Sequence, residues 1–211
     1  MKILFNPKFL KHNPGSYAEG PYRIHDFISQ TGEVDRNGEA DIALVHSQAH
    51  IDRVRAACMN HRVLAEVYLS PESYDAACSA VGLTLMAAEQ GDFAVVRPPG
   101  HHAKPERADG FCLFNNLAIA VQKLVNEGKK VFILDIDGHH GDGTQGIFYR
   151  SDRVLYCSVH QQYAYPWTGE SHETGEGEGK GYTMNFPLFV GSGDRELLEV
   201  VNTAIHISLT K

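Results

Sequence analysis

The chain has 211 residues, of which 43% are hydrophobic and 21% are charged, a composition typical of a globular protein with a sizeable core. Its formal net charge of −7 argues against a basic nucleic-acid-binding face, although it leaves room for a cationic substrate. Four scattered cysteines argue against a disulfide framework. Because the first apolar run is too short for a signal peptide and no stretch approaches a membrane span, we expect one cytoplasmic domain over residues 1–211.

Short apolar runs alternate with longer segments at helical spacing along the chain. The runs predict strands at 2–5, 41–47, 93–98, 130–137, 153–160 and 182–188. The longer segments predict helices from Pro21 to about Gln30, about Ala49 to Cys58, Pro71 to Gln90, about Leu113 to Glu127, and onward from an N-cap at Asp194. This alternation predicts an α/β fold of three layers, in which a mostly parallel sheet carries helices on both faces.

The segment VFILDIDGHHGDGTQ, residues 131–145, places three aspartates and two histidines within eight residues at the end of a predicted strand. Ligands of open α/β sheets bind beyond the carboxyl ends of the strands. Side chains alternate along a strand, so a continued extended backbone would put Asp135, Asp137 and His139 on one side and Ile136 on the other. A carboxylate and an imidazole two residues apart suit one zinc ion. The alternative is an Asp-rich turn with a surface histidine pair.

A second histidine pair, His101 and His102, follows the predicted strand at 93–98. A single pair is more often exposed or structural, but two pairs after strands of one sheet favour a common site. Asp135 and Asp142 are then available to accept hydrogen bonds from imidazole N–H groups and to orient the rings. Together these residue types indicate metal-assisted hydrolysis, with a metal-activated water and a histidine that moves its proton.

Four segments resemble, in order and spacing, the zinc-dependent histone deacetylase family, which includes the acetylpolyamine amidohydrolases. They are RPPGHHA at 97–103, GFCLFNN at 110–116, LDIDGHHGDGTQ at 134–145 and SVH at 158–160. The resemblance covers nearly the whole chain. It implies the arginase–deacetylase fold and a zinc-dependent hydrolase that cleaves the amide of acetyl-lysine or acetylpolyamine substrates.

The resemblance also implies metal sites. Asp137 and His139 resemble two of the family's three zinc ligands. A monovalent cation, potassium or sodium, is implied near the strand ends through the backbone oxygens of Asp135, Asp137, His139, Ser158 and Val159. The arginase branch has an aspartate two residues after the metal-binding histidine, where this chain has Gly141. One zinc ion is therefore favoured over a two-metal site.

Four residues match the catalytic residues of the family. His102 resembles the general base, paired with Asp142, and His101 resembles the second histidine of the tandem, paired with Asp135. These assignments come from the resemblance and agree with the proton transfer that metal-assisted hydrolysis requires.

Three residues resemble those that shape the narrow substrate tunnel. Phe111, beside Gly110, resembles one wall of the tunnel, and Tyr165 stands where the family usually has the phenylalanine of the other wall. Trp167 occupies a position that is often small in relatives. Both aromatic differences are expected to narrow or repolarise the entrance.

The family's third zinc ligand and its carbonyl-polarising tyrosine come from later strands, and residues 188–211 hold no carboxylate in a matching context. Asp194 opens the last predicted helix, and Glu196 and Glu199 fall on its exposed side. We therefore expect a C-terminally truncated domain that alone binds zinc weakly and hydrolyses poorly. The alternative function is an inactive deacetylase homologue that acts through self-association, as a homo-oligomer, or through a partner covering an exposed sheet edge.

Overall fold

The chain divides into two units, residues 1–123 and 124–211. Each unit contains one parallel sheet of three strands. The computed structural model describes residues 1–15, 18–30 and 32–210. The α/β class with mostly parallel strands is thereby confirmed, whereas the expectation of a single domain stays a prediction. None of the helices in the described ranges is long and apolar enough to cross a membrane.

The first unit combines one parallel sheet, one hairpin and several helices. Its strands are β1 Ile3–Phe5, β2 Gly32–Glu33, β3 Val63–Leu64, β4 Val67–Tyr68 and β5 Phe93–Ala94, and its sheet order is β2-β1-β5. Its α-helices are α1 Lys8–Lys11, α2 Gln48–Met59, α3 Pro71–Gln90 and α4 Asn116–Asn126, the last of which runs on into the second unit. Two 3-10 helices cover Pro21–Gln30 and Glu39–Leu44.

Helix α3 organises the core of the first unit. Pro71 sits in its first turn, and Gly91 ends it in the left-handed conformation at φ 70°, as the sequence predicts. One face contributes Ala76, Ala80 and Leu83 to a core with β1 and β5, while another face joins a second core with α2. Gly82 of α3 has no side chain, which lets the backbone of Arg36 and Gly38 approach the helix closely and fixes the position of that earlier segment.

The predicted strand at 41–47 is wrong, because this segment is a 3-10 helix followed by a turn. Gly38 lies against α3 so closely that a Cβ there would stand 2.5 Å from the backbone nitrogen of Gly82. The backbone N–H groups of Val45 and His46 both bond to the carbonyl of Ile42. Contact with the helix and local hydrogen bonds therefore replace strand pairing, although residues 42–45 are all apolar.

The second unit is a sheet of three parallel strands with a long helix on one face. Its strands are β6 Val131–Asp135, β7 Val154–Gln161 and β8 Thr183–Leu188, in that order. Its own helices are α5 Asp142–Phe148 and α6 Asp194–Ser208, with a 3-10 turn at Gly177–Gly179. The predicted N-cap of the last helix shifts by one residue, since Gly193 is the cap and Asp194 is the first helical residue.

Alternation along β7 separates an apolar face from a polar face. Cys157 and Val159 pack against Ala204 of α6 in the apolar core of this unit. Ser158 and His160 are also buried but point to the opposite face. Alternation therefore puts Ser158 and His160 on the face of β7 opposite its apolar contacts with Ala204.

Several predicted boundaries differ by a few residues. The strand expected at 93–98 is confined to Phe93–Ala94, and the helix expected at about 113–127 covers Asn116–Asn126. The helix starts late because the Asn115 side chain accepts a hydrogen bond from the Ala118 N–H and acts as its cap. All four cysteines are buried and free, as expected.

Candidate functional site

Asp137 and His139 form a compact pair just beyond β6. The strand ends at Asp135, and the backbone does not stay extended. Instead, the Asp135 Oδ1 accepts from the Asp137 N–H at 3.2 Å, and the Asp137 Oδ1 accepts from the His139 N–H at 2.8 Å. These two Asx-type turns correct the expectation of a continued strand, because a short carboxylate bonding two residues on bends the chain.

The pair presents a carboxylate oxygen and an imidazole nitrogen side by side. The distance between the Asp137 Oδ1 and the His139 Nδ1 is 3.1 Å, and both side chains are about half exposed. Two ligands on one tetrahedral zinc ion stand roughly 3.3 Å apart when each bond is about 2.0–2.1 Å. The two residues therefore fit two corners of a zinc site. No cluster of three or more metal-binding side chains occurs among the residues that the structure describes.

The strand register places three polar residues in one row beside this pair. Asp135 is the register partner of Ser158, and Ser158 is the partner of Asn185, across β6, β7 and β8. The Tyr156 hydroxyl donates to the Asp135 Oδ2 at 3.2 Å, and burial followed by the Asp135 charge raises the pKa of Tyr156 well above its usual value. Asp135 is thus held as a carboxylate acceptor at the strand end.

The two histidines of the second tandem have different environments. His139 is exposed, whereas His140 is only 1% exposed. The His140 Nδ1 lies 2.8 Å from the Thr168 hydroxyl and its Nε2 lies 3.0 Å from the Gln145 Oε1. Burial lowers the pKa of His140, so this ring is a neutral anchor between α5 and the loop after β7. The sequence singles out His139 as the candidate ligand but does not predict the buried anchoring role of His140.

Two contacts hold the loop after β7 in place, one made by the Glu173 side chain and one by the Gly169 backbone. Glu173 Oε1 accepts from the backbone N–H groups of Gly169 and Glu170, at 3.0 and 2.9 Å. A Cβ on Gly169 would stand 2.6 Å from both the His140 and the His160 ring, and its φ is +86°. Only glycine fits here, so the loop that carries Tyr165 is anchored against the two histidine rings at Gly169.

His101 and His102 lie in the first unit, in the loop between β5 and α4. Their ring centroids are 4.0 Å apart, with His102 buried and His101 half-buried. A Cβ on Gly100 would stand 2.7 Å from the Asn116 backbone nitrogen. The Asn116 side chain also donates to the Pro98 carbonyl at 3.1 Å. The start of α4 therefore holds the chain just before the histidine pair.

A second histidine pair, His46 and His50, holds the same loop from the other side and was missed as a functional signal. The His46 Nδ1 lies 3.1 Å from the Lys104 carbonyl, and the Asn115 N–H donates to the His46 Nε2 at 2.9 Å. The His50 Nε2 lies 3.0 Å from the Leu113 carbonyl. His46 lies just before α2 and His50 lies in its first turn, and their four-residue spacing was the available sequence signal.

Gly110 and Phe111, the residues expected along the tunnel, sit at the turn between these anchors. Both have positive φ, 48° and 68°, and the Phe111 N–H donates to the Ala65 carbonyl at 3.0 Å. Phe111 packs, partly buried, against the core of the first unit. Left-handed backbone at a bulky residue persists where its surroundings fix it and is often found at functional sites.

Tyr165 lies within ring contact of the candidate metal pair. Its ring centroid is 6.2 Å from that of His139 and 5.6 Å from that of Trp167, and both contacts are nearly perpendicular. Tyr165 is half-buried, whereas Trp167 is 76% exposed. Both residues expected to modify the entrance therefore lie on the His139 side of the second unit.

A cavity of about 270 Å³ opens beside Asp137 in the second unit. Its lining includes Asp137 and His160, together with Ser192 just before α6 and Asp194 at the start of α6. Apolar side chains such as Leu188 complete its wall. Glu196 and Glu199 are exposed on α6, as expected, and Glu196 accepts from the Gly193 N–H. The expected pairings of His101 with Asp135 and of His102 with Asp142 stay predictions.

Comparison with known proteins gives a family match over most of the chain. Residues 23–211 match the histone deacetylase domain. A probable deacetylase of Archaeoglobus fulgidus is 48% identical over 141 residues, which cover 63% of this chain and 39% of that protein. A probable deacetylase of Methanothermobacter thermautotrophicus is 36% identical over 221 residues, which cover 95% of this chain and 67% of that protein. The chain thus spans between about two fifths and two thirds of these relatives' length.

Solved structures give the same result. An HDAC homolog from Aquifex aeolicus matches with a TM-score of 0.85 and 29% identity, over 98% of this chain and 64% of that one. An acetylpolyamine aminohydrolase from Burkholderia pseudomallei matches with a TM-score of 0.88 and 30% identity, over 98% of this chain and 77% of that one.

Proposed function

The chain belongs to the histone deacetylase domain family and has its arginase–deacetylase α/β fold, and from this premise we propose that it is a zinc-dependent amide hydrolase. The proposed substrates are acetylated amines, of the acetyl-lysine or acetylpolyamine type. The observation that carries the proposal is the adjacent carboxylate and imidazole of Asp137 and His139, 3.1 Å apart just beyond the end of β6.

Asp137 and His139 would hold the zinc ion, together with a ligand that the described residues do not supply. When bound, such an ion lowers the pKa of a coordinated water toward neutrality and polarises the amide carbonyl. The pair keeps its oxygen and nitrogen positioned because the Asp137 carboxylate is already fixed by the His139 N–H.

His102 is proposed as the general base, with Asp142 as its partner. His101, paired with Asp135, is proposed to supply the second imidazole of the proton relay. A base that takes a proton from the attacking water and returns it to the leaving amine commonly contributes about 10²- to 10⁴-fold in rate. Asp135 also keeps its hydrogen bond from Tyr156, which fixes its orientation.

Gly110, Phe111 and Tyr165 are proposed to line the path of the acylated chain. A structural potassium or sodium ion is proposed at the backbone oxygens of Asp135, Asp137, His139, Ser158 and Val159. Ser158 and Val159 are both buried in β7, beside the end of β6.

The test of function combines metal content with acetate release. The purified chain is loaded with zinc, and both zinc stoichiometry and hydrolysis of an acetyl-lysine peptide and of N-acetylputrescine are measured. Asp137→Asn should lower zinc affinity by more than the roughly 10- to 100-fold typical of residues behind the ligands. His102→Ala should abolish acetate release while leaving bound zinc in place.

Matched controls come from exposed residues of the second unit. Asp152→Asn and His172→Ala should change neither quantity, since both residues are exposed and lie outside the proposed site. A chain that binds no zinc and releases no acetate from either substrate would contradict the hydrolase and leave the inactive homologue.

If the chain is an inactive homologue, it acts through self-association or a partner. The structure offers one candidate surface for self-association. Among the described residues, β8 pairs with β7 on one side only, and Phe189 and Val190 just after it are each 76% exposed. An apolar strand edge invites pairing with another chain. Native mass spectrometry should show a homo-oligomer that Phe189→Lys weakens, with Tyr68→Lys at a 66% exposed site in the first unit as control.

A further inference from the structure

The segment YAYPW, residues 163–167, exposes aromatic rings to an unusual degree. Tyr163 is 78% exposed and Trp167 is 76% exposed, whereas Tyr165 between them is half-buried. Large aromatic side chains normally bury most of their surface, and exposed ones mark places where another molecule is bound. Trp167 is the sole tryptophan of the sequence.

The backbone holds the Trp167 ring in this exposed position. Trp167 has φ +61°, a left-handed conformation that residues with a Cβ rarely adopt. Its N–H donates to the Ala164 carbonyl at 2.8 Å, which closes the turn. A bulky residue in such a conformation persists where the surrounding structure fixes it, and such residues cluster at ligand sites. The loop is itself fixed at its foot by Gly169.

Trp167 and Tyr165 form an aromatic corner. Their ring centroids are 5.6 Å apart and their planes meet at 75°. A cation is attracted to the face of an aromatic ring when it lies within about 6 Å of the centroid, and one ammonium group beside this pair can lie within that distance of both centroids. The Tyr165 ring lies 6.2 Å from the His139 ring, which places the corner next to the proposed metal pair.

The charge of the surrounding loop favours a cation. Residues 161–181 contain four glutamates and one lysine, a net charge of −3. Two of the glutamates are engaged, Glu173 by backbone N–H groups and Glu176 by Arg150. Glu170 lies three residues after Trp167, at the partly buried end of the loop.

We infer that Trp167 and Tyr165 form a binding site for an alkylammonium group carried on the amine part of the substrate. This inference rests on the proposed function, since the acylated amine would bring the ammonium to the His139 side. Five bonds separate the amide nitrogen of an acylated four-carbon diamine from its ammonium, a span of roughly 6 Å. The Tyr165 ring lies 6.2 Å from the His139 ring, so an amine chain of this length that starts at the proposed metal pair reaches the neighbourhood of the corner.

The experiment measures binding without turnover, through the emission of the sole tryptophan. N-acetylputrescine should change Trp167 emission in a saturable way, while N-butylacetamide, which has the same chain length without the charge, should bind more weakly. Putrescine and an acetyl-lysine peptide with a neighbouring lysine form separate arms, and they distinguish a diamine from a peptide as the source of the ammonium. Equal affinity for N-acetylputrescine and N-butylacetamide, or no binding of N-acetylputrescine, would overturn the inference.

Fluorinated tryptophans test the nature of the contact. Biosynthetic replacement of the sole tryptophan by mono- and difluorotryptophan weakens the negative ring face with little change in shape. Affinity for N-acetylputrescine should fall stepwise, by about 2- to 5-fold over the series, as expected for an exposed cation–π contact. A constant affinity would show an ordinary apolar contact and would overturn the inference.

Two variants distinguish binding at the Trp167–Tyr165 corner from binding to any exposed aromatic ring of this segment. Trp167→Gly removes the ring and also relieves the positive φ, so a folding defect is not expected from it. Tyr163→Gly is the matched control, because Tyr163 has φ +62° and similar exposure but makes no ring contact among the described residues. By calorimetry, Trp167→Gly should weaken binding and Tyr163→Gly should not. Equal losses in the two variants would overturn the inference.

The outcomes also separate this site from the proposed function. Acetate release without any ammonium preference would overturn the aromatic site and support the hydrolase. Charge-dependent binding without acetate release from any substrate would support the aromatic site and contradict the hydrolase.

Discussion

The His46 ring accepts a hydrogen bond at Nε2 from the Asn115 N–H, 2.9 Å away and 69 residues later in the sequence. Its Nδ1 lies 3.1 Å from the Lys104 carbonyl, which can only accept, so the proton of the neutral ring sits on Nδ1. One imidazole thus joins two points of the loop that follows the His101–His102 pair. Its position makes it a determinant of how that loop is held.

Replacing His46 by phenylalanine should lower the free energy of unfolding. His46 is 2% exposed, and the variant leaves the Asn115 N–H and the Lys104 carbonyl buried without this partner. Each unsatisfied group costs about 1–3 kcal/mol. Urea unfolding should therefore show a loss of roughly 2 kcal/mol or more. His206→Phe, at an exposed position of α6, should stay within about 0.5 kcal/mol of the parent chain; equal losses would contradict the role of His46.

The free energy of unfolding should decrease as the pH is lowered from 6.5 to about 4. Burial, with the neighbouring His50, lowers the pKa of His46 from 6.5 to about 4, and burial with Arg97 does the same for His12. As the pH falls through this window the unfolded chain takes up these protons before the folded chain does, so unfolding becomes easier. The stabilisation is fully present above pH 6.5, and each group contributes at most on the order of 3 kcal/mol.

The pH prediction is checked by urea midpoints measured across this range. His46→Gln, which keeps an acceptor for the Asn115 N–H and removes the titrating ring, should flatten the dependence. An unchanged slope in that variant would show that His46 does not carry the effect.

Arg97 and Glu19 form a buried ion pair whose separation should be costly. The Arg97 Nε donates to the Glu19 Oε1 at 2.7 Å, and the guanidinium also donates to the carbonyls of Phe9, His12 and Glu19. Glu19→Gln alone should destabilise the fold by about 3–5 kcal/mol, because the Arg97 charge stays buried without its partner. Arg97→Met should cost less, because the Glu19 Oε2 keeps its hydrogen bond from Arg23 at 2.6 Å.

A double-mutant cycle checks this pair. The double variant should cost less than the sum of the two single variants, since neither charge is then left buried alone. The control cycle on the exposed Lys8–Asp35 pair, with its nitrogen and oxygen 2.9 Å apart, should show a coupling of at most about 1 kcal/mol. Additive losses at Arg97 and Glu19 would contradict the expected coupling.

Two glycines with positive φ allow two effects of a Gly→Ala substitution on the free energy of unfolding to be separated: the clash of the new Cβ and the strain of the left-handed backbone. Gly169→Ala places a Cβ 2.6 Å from the His140 and His160 rings, whereas Gly191, at φ +92°, has nothing within 4 Å of that position. Both variants pay the left-handed backbone cost of about 1–2 kcal/mol. Gly169→Ala should cost about 1–3 kcal/mol more in thermal or urea unfolding because of the clash. Equal losses would contradict the tight fit at Gly169.

Part of the site follows directly from local sequence. The Asp137-x-His139 spacing after an apolar run was sufficient to predict a carboxylate and an imidazole close together, and the structure gives 3.1 Å between them. The way they meet was not predicted, because Asx turns compete with strand continuation through single hydrogen bonds. The two histidines of that tandem also differ in role, since only one is enclosed by Gln145 and Thr168.

The sequence by itself determined the α/β class with mostly parallel strands and the residues that line the end of β6, whereas the order β6-β7-β8 comes from the structure. Apolar periodicity and the Gly and Pro signals at helix ends are local properties, so they can be read along the chain. The tertiary structure alone decided that the apolar run at 41–47 is not a strand, and that it delivers His46 to a loop nearly 60 residues later. Those outcomes depend on close contact of Gly38 with Gly82 and on hydrogen bonds between distant segments, which no local pattern encodes.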